Sequence, residues 1–255
     1  WDGAQFIRSF SFPWSSKPAP ATEFRAWADP DHFYFGFTAE DSDLVIETQF
    51  DGESTLDRED RVEIFFACDE TLERYYCIEI DPLGRVHDYA AKHYRQFDST
   101  WNCPGLRTAA TRGPRGYTVE AAVPFATLSD LLGRATGPGA ALRVGLFRAE
   151  FRPGALGDAP NNWISWVRPT TAEPDFHVPS AFRQWRIPAS GSEPTPAFRT
   201  RGVVLVPDDL SLADWPDRAA KAGLTTVALH HGTSPAAVAA FIGSPSGRAF
   251  LDRCA

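Results

Sequence analysis

The segment DRVEIFFACDETLERYYCIEIDPLG (60–84) alternates apolar and polar residues on either side of a DETLE turn, the pattern of an antiparallel hairpin. Pairing the two arms sets Val62, Ile64 and Phe66 opposite Ile80, Ile78 and Tyr76 on one face, and Glu63 opposite Glu79 on the other. A slip of one residue would send the apolar set to the wrong side, so the pattern specifies the register. The second face also carries Arg61, Phe65, Tyr75 and Cys77. Like charges directly opposite each other cost stability, so Glu63 and Glu79 either face water or have a partner such as an Arg, a cation or a polyhydroxyl ligand.

Short strands dominate up to about residue 188. FRAWADPDHFYFGFTAE (24–40) reads as two strands around an Asp-Pro-Asp turn, and DLVIETQF, RVHDYAA, YTVEAAV and LRVGLFRAEF follow at regular spacing, separated by DPLG, RGPRG and GPG. Only PFATLSDLLG (124–133) reads as a helix, with Pro near its start and Gly at its end. Many short strands and one helix predict a mainly β fold, an antiparallel jelly-roll or Ig-like sandwich over 1–188.

Residues 189–200, within PASGSEPTPAFRTR, have linker composition. From 201 to 255 the pattern changes to strand (GVVLVPDDL), helix (LADWPDRAAKAG), strand (LTTVALHH) and helix (SPAAVAAFIG), the opening of a parallel α/β domain and most economically of a barrel. The carboxyl ends of these two strands carry Asp208, Asp209, His230 and His231. Two such units cannot close a barrel. The chain also has no Met and ends within a helical pattern, so it is expected to be part of a longer protein.

Composition narrows the partners. A net charge of −8 disfavours nucleic acid, and no apolar run is long enough for a membrane helix. Aromatic residues make up 13% and include 8 Trp, more than the core requires, which points to surface rings available for stacking. Cys68 and Cys77 fall on opposite faces of the hairpin, so reduced thiols are expected there while Cys103 and Cys254 stay undecided, and the protein is expected to be a monomer.

Trp1-Asp-Gly-Ala, the 60–84 hairpin, GYTVEAAVPF, RVGLFRAEF and ISWVRPTTAEPDFHVPSAF occur in an order and spacing that resemble the family 9 carbohydrate-binding modules over about residues 1–188, a family similar in turn to DOMON-type sandwiches. The resemblance implies non-catalytic binding of a saccharide or polysaccharide such as xylan. It also implies an extracellular or periplasmic setting and association with a glycoside hydrolase. The family's site resembles a slot between two Trp rings with a Glu and an Arg holding hydroxyls. Glu63 matches that Glu and Trp166 one ring, while Glu79 stands near the place of the Arg and Asp57 at that of the second ring.

Arg148 is therefore expected to neutralise Glu63 and Glu79, because its planar fork suits carboxylates and vicinal hydroxyls. Trp101 or Tyr94 could supply a second stacking face, and Asn161 and Asn162 amide groups at the mouth. The expected saccharide site is thus Glu63, Glu79, Arg148, Trp166, Trp101 and Asn162, with no catalytic residue and no required cofactor. Structural calcium is a further candidate at Glu40, Asp41, Asp43 and Asp51. Haem is disfavoured: with no Met, only His32, His87, His93 and His177 could ligate it, at no telling spacing. Two rival readings stay open. One takes Glu63 and Glu79 as a glycosidase carboxylate pair. The other makes the chain a fragment of a glycosidase whose barrel begins at about residue 201, with the sandwich purely structural.

Overall fold

The computed structural model describes residues 1, 3–152 and 162–189, together with 202–205, 226–229, 236, 239–240, 243–245 and 248. The chain divides into two units, Trp1–Pro194 and Thr195–Ala255.

In the first unit one sheet has five antiparallel strands in the order β1-β2-β3-β9-β8. They are β1 (Gln5–Ile7), β2 (Thr22–Ala28), β3 (His32–Glu40), β8 (Arg107–Gly113) and β9 (Gly116–Pro124). The second sheet runs β11-β10-β4-β5-β6-β7, with β12 also paired to β10. Its strands are β4 (Arg61–Ala67), β5 (Tyr75–Ile80), β6 (Val86–Lys92), β7 (Gln96–Asp98), β10 (Ala141–Ala149), β11 (Trp163–Ser165) and β12 (Arg183–Arg186). The expected mainly β sandwich is therefore present, and the β4–β5 register is the one the alternation specifies, with Glu63 opposite Glu79 and Ile64 opposite Ile78.

Alternation builds the core. Phe33, Phe35 and Phe37 of β3 and Phe24 of β2 meet Ile64, Phe66, Ile78 and Leu146 from the other sheet, and all are essentially inaccessible to water. Phe33 and Phe66 cross the interface edge to face at 6.4 Å. Each such burial contributes about 1.5–3 kcal/mol. In this unit the helix α1 (Phe125–Leu132) follows Pro124 and ends at Gly133, whose φ of 62° provides the left-handed cap.

One strand expectation is corrected. DLVIETQF (43–50) is irregular and leads into a 3₁₀ turn at Glu53–Arg58, because Val45 bonds the carboxylate of Asp60 instead of a strand ladder. In the other direction, the Thr- and Arg-rich β8 lacks an apolar alternation and was not visible in the pattern.

The outer face of the seven-stranded sheet is covered rather than solvated. Phe65, Tyr75, Cys77, Tyr89 and Phe147 form a second apolar cluster with Phe176, Ala181 and Phe182 from the segment preceding β12. Phe147 and Phe176 stack at 4.1 Å.

Gly116, opposite Glu40 at the β8–β9 turn, has φ 133°, and a Cβ there would collide with the Ala39 carbonyl. Gly116→Ala is expected to destabilise the sandwich by roughly 3 kcal/mol through strain and overpacking, read as a lowered urea midpoint.

In the second unit β13 (Gly202–Leu205) and β14 (Thr226–Leu229) pair in parallel. The linker from 190 onward, the helix expected after β13, and Asp208, Asp209, His230, His231 and Cys254 lie outside the described residues. Among the described residues no helix is long and apolar enough to cross a membrane.

Candidate functional site

The β-ladders place Phe147, Glu63, Glu79 and His87 as successive cross-strand neighbours on β10, β4, β5 and β6. Phe65, Cys77 and Tyr89 make the adjacent row. At one end of this face lies an open cavity of about 340 Å³. Glu63, Glu79, His87 and Arg61 form its floor, and Trp163, Phe97, Trp14 and the Pro174–His177 segment contribute to its walls.

Arg61, two residues before Glu63 on the same face, is the counter-ion of both carboxylates. Its Nε lies 2.6 Å from Glu79 and 3.0 Å from Glu63. Arg61 also donates from Nη1 to the Leu56 carbonyl at 2.9 Å, which anchors the guanidinium to the 3₁₀ turn. Tyr89 donates its hydroxyl to Glu79 at 2.8 Å. His87 Nδ1 is 3.1 Å from Asp57 and 3.9 Å from Glu79. At the rim, Asp175 accepts from Tyr94 at 2.8 Å and from Arg95 at 3.0 Å.

Burial, and then the charge of Glu79, push the Glu63 carboxyl up to about 8, against the opposing pull of Arg61. Burial alone would lower His87, but its bond to Asp57 and the charge of Glu79 outweigh that and raise it. Burial takes His177 down to about 3, so that its ring is neutral beside Tyr75, 3.0 Å away, and Phe65.

Arg148 does not join this floor, which corrects the expected pairing with Glu63 and Glu79. On β10 it faces Val62, and with Val144 and Leu146 it points between the sheets. There, with its side chain fully buried, it donates to the Glu40 carbonyl at 2.8 Å and to Thr22 at 3.2 Å, and it pairs with Glu150 and Asp41. Asp60 joins this cluster. Burial raises its carboxyl to about 8, and burial likewise raises Glu150 to about 7.

Three further expected residues also stand outside the cavity lining. Trp166 packs on the inter-sheet core under Arg183, because it falls beyond the end of β11 and turns inward. Trp101 packs on Tyr76 at 4.8 Å at the core's edge. Asn162 is buried beside β10, its carbonyl accepting from Glu150 at 2.7 Å, and Asn161 lies outside the described residues. Of the expected set, the cavity brings together Glu63 and Glu79.

Arg61 was legible from parity alone, since it shares a strand face with Glu63. His87 could have been reached by carrying the register through the DPLG turn. Trp163 and Phe97 had no signal of their own, because short edge strands and loops deliver them.

Among the described residues two groups of side chains have the donors to hold a metal: Asp57, Glu79 and His87 at the cavity, and Asp41, Asp60 and Glu150 around Arg148. In both, an arginine already supplies positive charge. Of the acidic residues expected to bind calcium, only Asp41 belongs to such a group among the described residues.

The raised groups set a pH dependence. A carboxyl whose folded pKa exceeds its unfolded value of about 4 contributes stability that is complete below that value and is lost as pH rises through the folded pKa. Glu63, Asp60 and Glu150 all have this sign, as does the raised His87. The depressed His177 acts oppositely, but below about pH 6.5. The melting temperature is therefore expected to fall by several degrees between pH 6.5 and 8.5, at about 2–4 °C per kcal/mol lost; a differential scanning calorimetry series with a flat or rising Tm would contradict it.

An antiparallel sandwich with an acid-floored, aromatic-walled cavity on one outer face is a β-sandwich with the makings of a small-ligand site. The chain belongs to the family described as carbohydrate family 9 binding domain-like, whose model matches residues 1–186. Its fold is similar to that of a Bacteroides uniformis protein, at 14% identity and a TM-score of 0.55, covering 72% of this chain and 87% of that one. It is also similar to a family 9 carbohydrate-binding module from Caldicellulosiruptor kristjanssonii in complex with glucose, at 14% identity and a TM-score of 0.50, covering 77% of this chain and 90% of that one. No curated protein sequence matched.

Proposed function

We propose that the N-terminal sandwich is a non-catalytic saccharide-binding module whose ligand enters the cavity above Glu63 and Glu79. The observation that carries this reading is the acidic pair held by one arginine beneath open aromatic surface. A pyranose presents C–H faces that suit rings such as Trp163 and Phe97, and hydroxyls that donate to charged acceptors. Membership of a carbohydrate-binding family and the glucose complex of the similar Caldicellulosiruptor module support it. One arginine, Arg61, forms ion pairs with both carboxylates, which favours holding a ligand over the separate acid and nucleophile roles that glycoside cleavage needs.

Residues from about 201 are read as the first part of a second, α/β domain of a larger polysaccharide-processing protein. Calcium has no part in binding on this reading, although calcium at Asp41, Asp60 and Glu150 would raise Tm relative to EDTA-treated protein.

Isothermal titration with glucose, xylose, cellobiose and soluble xylan tests the module. Trp163→Ala and Glu63→Gln are each expected to weaken binding at least about tenfold, equivalent to 1.4 kcal/mol, while Trp166→Ala retains it. No saturable binding to any of these, or unchanged affinity in Trp163→Ala, would overturn the assignment.

A further inference from the structure

The cavity is short of positive charge. Its lining holds four carboxylates, Asp57, Glu63, Glu79 and Asp175, against two guanidiniums, Arg61 and Arg95. Both guanidiniums are committed. Arg61 is shared between Glu63 and Glu79, and Arg95 lies 3.0 Å from Asp175 at the rim. His177 is neutral, and His87, even when protonated, is divided between Asp57 and Glu79. With all four carboxylates ionised the lining carries an excess of one to two negative charges, and with Glu63 protonated, as its raised carboxyl is at pH 6.5, the excess is at most one; no arginine or lysine of the described lining is left for an anion.

The surrounding rings have the same preference. Trp163, Phe97 and Tyr89 line the cavity, and the Trp163 and Phe97 rings already lie 5.8 and 5.7 Å from the Arg61 and Arg95 guanidiniums, the cation contact that aromatic faces favour. Phe97 is 45% exposed and Asp57 has 54% of its side chain exposed, so a ligand group can reach both without rearrangement.

We propose that this cavity selects amino sugars, taking a protonated amine against Asp57 and the Glu63–Glu79 floor, and that it rejects sugars bearing a carboxylate or sulfate. This rests on the saccharide-binding reading above and specifies the ligand class of that same site. An ammonium is a hydrogen-bond donor with no acceptor, which complements the carboxylate oxygens of the floor, and its charge offsets both the burial and the Glu79 charge that raise the Glu63 carboxyl. A uronate would bring a further anion beside Glu63 and Glu79 with no free cation to meet it.

Titration calorimetry of the full chain at pH 6.5 with glucose, glucosamine, N-acetylglucosamine and glucuronate tests this. Glucosamine is expected to bind at least about tenfold more tightly than glucose, N-acetylglucosamine to show no such gain because acetylation removes the charge, and glucuronate to bind most weakly. The glucosamine-to-glucose ratio should shrink in 0.5 M salt and in Asp57→Asn, which removes one carboxylate from the lining. Glucosamine binding no better than glucose, or glucuronate binding as well as glucose, would overturn the selectivity and leave the saccharide-binding reading standing. Absence of binding to all four sugars would overturn both.

Discussion

Replacing Arg61 by Ala is expected to lower the unfolding free energy by about 3–5 kcal/mol and to abolish saccharide binding in whatever fraction stays folded. Arg61 and both its partners are nearly inaccessible, with side-chain exposures of 7%, 3% and 4% for Arg61, Glu63 and Glu79. Removing the guanidinium leaves two carboxylates face to face across β4 and β5 in a site that water barely reaches. It also removes the donor that ties the 3₁₀ turn to the sheet through the Leu56 carbonyl. Urea denaturation followed by tryptophan fluorescence measures the loss. Adding Glu63→Gln and Glu79→Gln to Arg61→Met should recover much of the stability but not the binding, because neutral amides need no counter-ion. A cost below about 1 kcal/mol for Arg61→Ala would mean that the floor is far better solvated than its burial indicates.

Arg148→Met should produce a loss of similar size, about 3–5 kcal/mol at pH 8, with a different signature. Arg148 is fully buried between the sheets, where it balances Glu150 and Asp41 and lies over the Tyr117 ring at 5.7 Å. Without it these carboxylates and Asp60 remain clustered within 4.8 Å of one another. Protonation relieves that repulsion, so the penalty should shrink as pH falls below 7, the range to which burial raises Glu150, after Asp60 has taken up its proton near 8. Arg148 lies outside the cavity, so the folded variant should retain sugar affinity, whereas Arg61→Ala loses it. If Arg148→Met abolished binding in protein shown to be folded, the ligand site would have to be moved to the inter-sheet end of the sandwich.

The contrast between these two arginines separates what pattern can reveal from what it cannot. Strand parity is local, so it located Glu63, Glu79 and Arg61 on one face before any fold was known. Applied to RVGLFRAEF, the same parity places Arg148 with Val144 and Leu146, on the core side. The expectation that Arg148 would neutralise the acidic pair followed charge complementarity and overlooked that alternation. Trp166 was favoured because the family resemblance pointed to it, yet the ring delivered to the cavity is Trp163, three residues earlier on β11.

By itself, then, the sequence determined the two-sheet architecture, the hairpin register and the acidic pair, because alternation with period two and turn residues are short-range properties of the chain. Helix α1 and its glycine stop were set in the same way. Only the tertiary structure decided that the outer face of the seven-stranded sheet is roofed by Phe176, Ala181 and Phe182, which come far along the chain from Phe65, Tyr75, Cys77 and Tyr89 on the strands they cover. It alone brought Asp57, His87, Phe97 and Trp163 around one cavity, since three strands, a 3₁₀ turn and two loops must converge to do so. Contacts between such distant segments depend on how the sheets twist and pack, and no local periodicity encodes them.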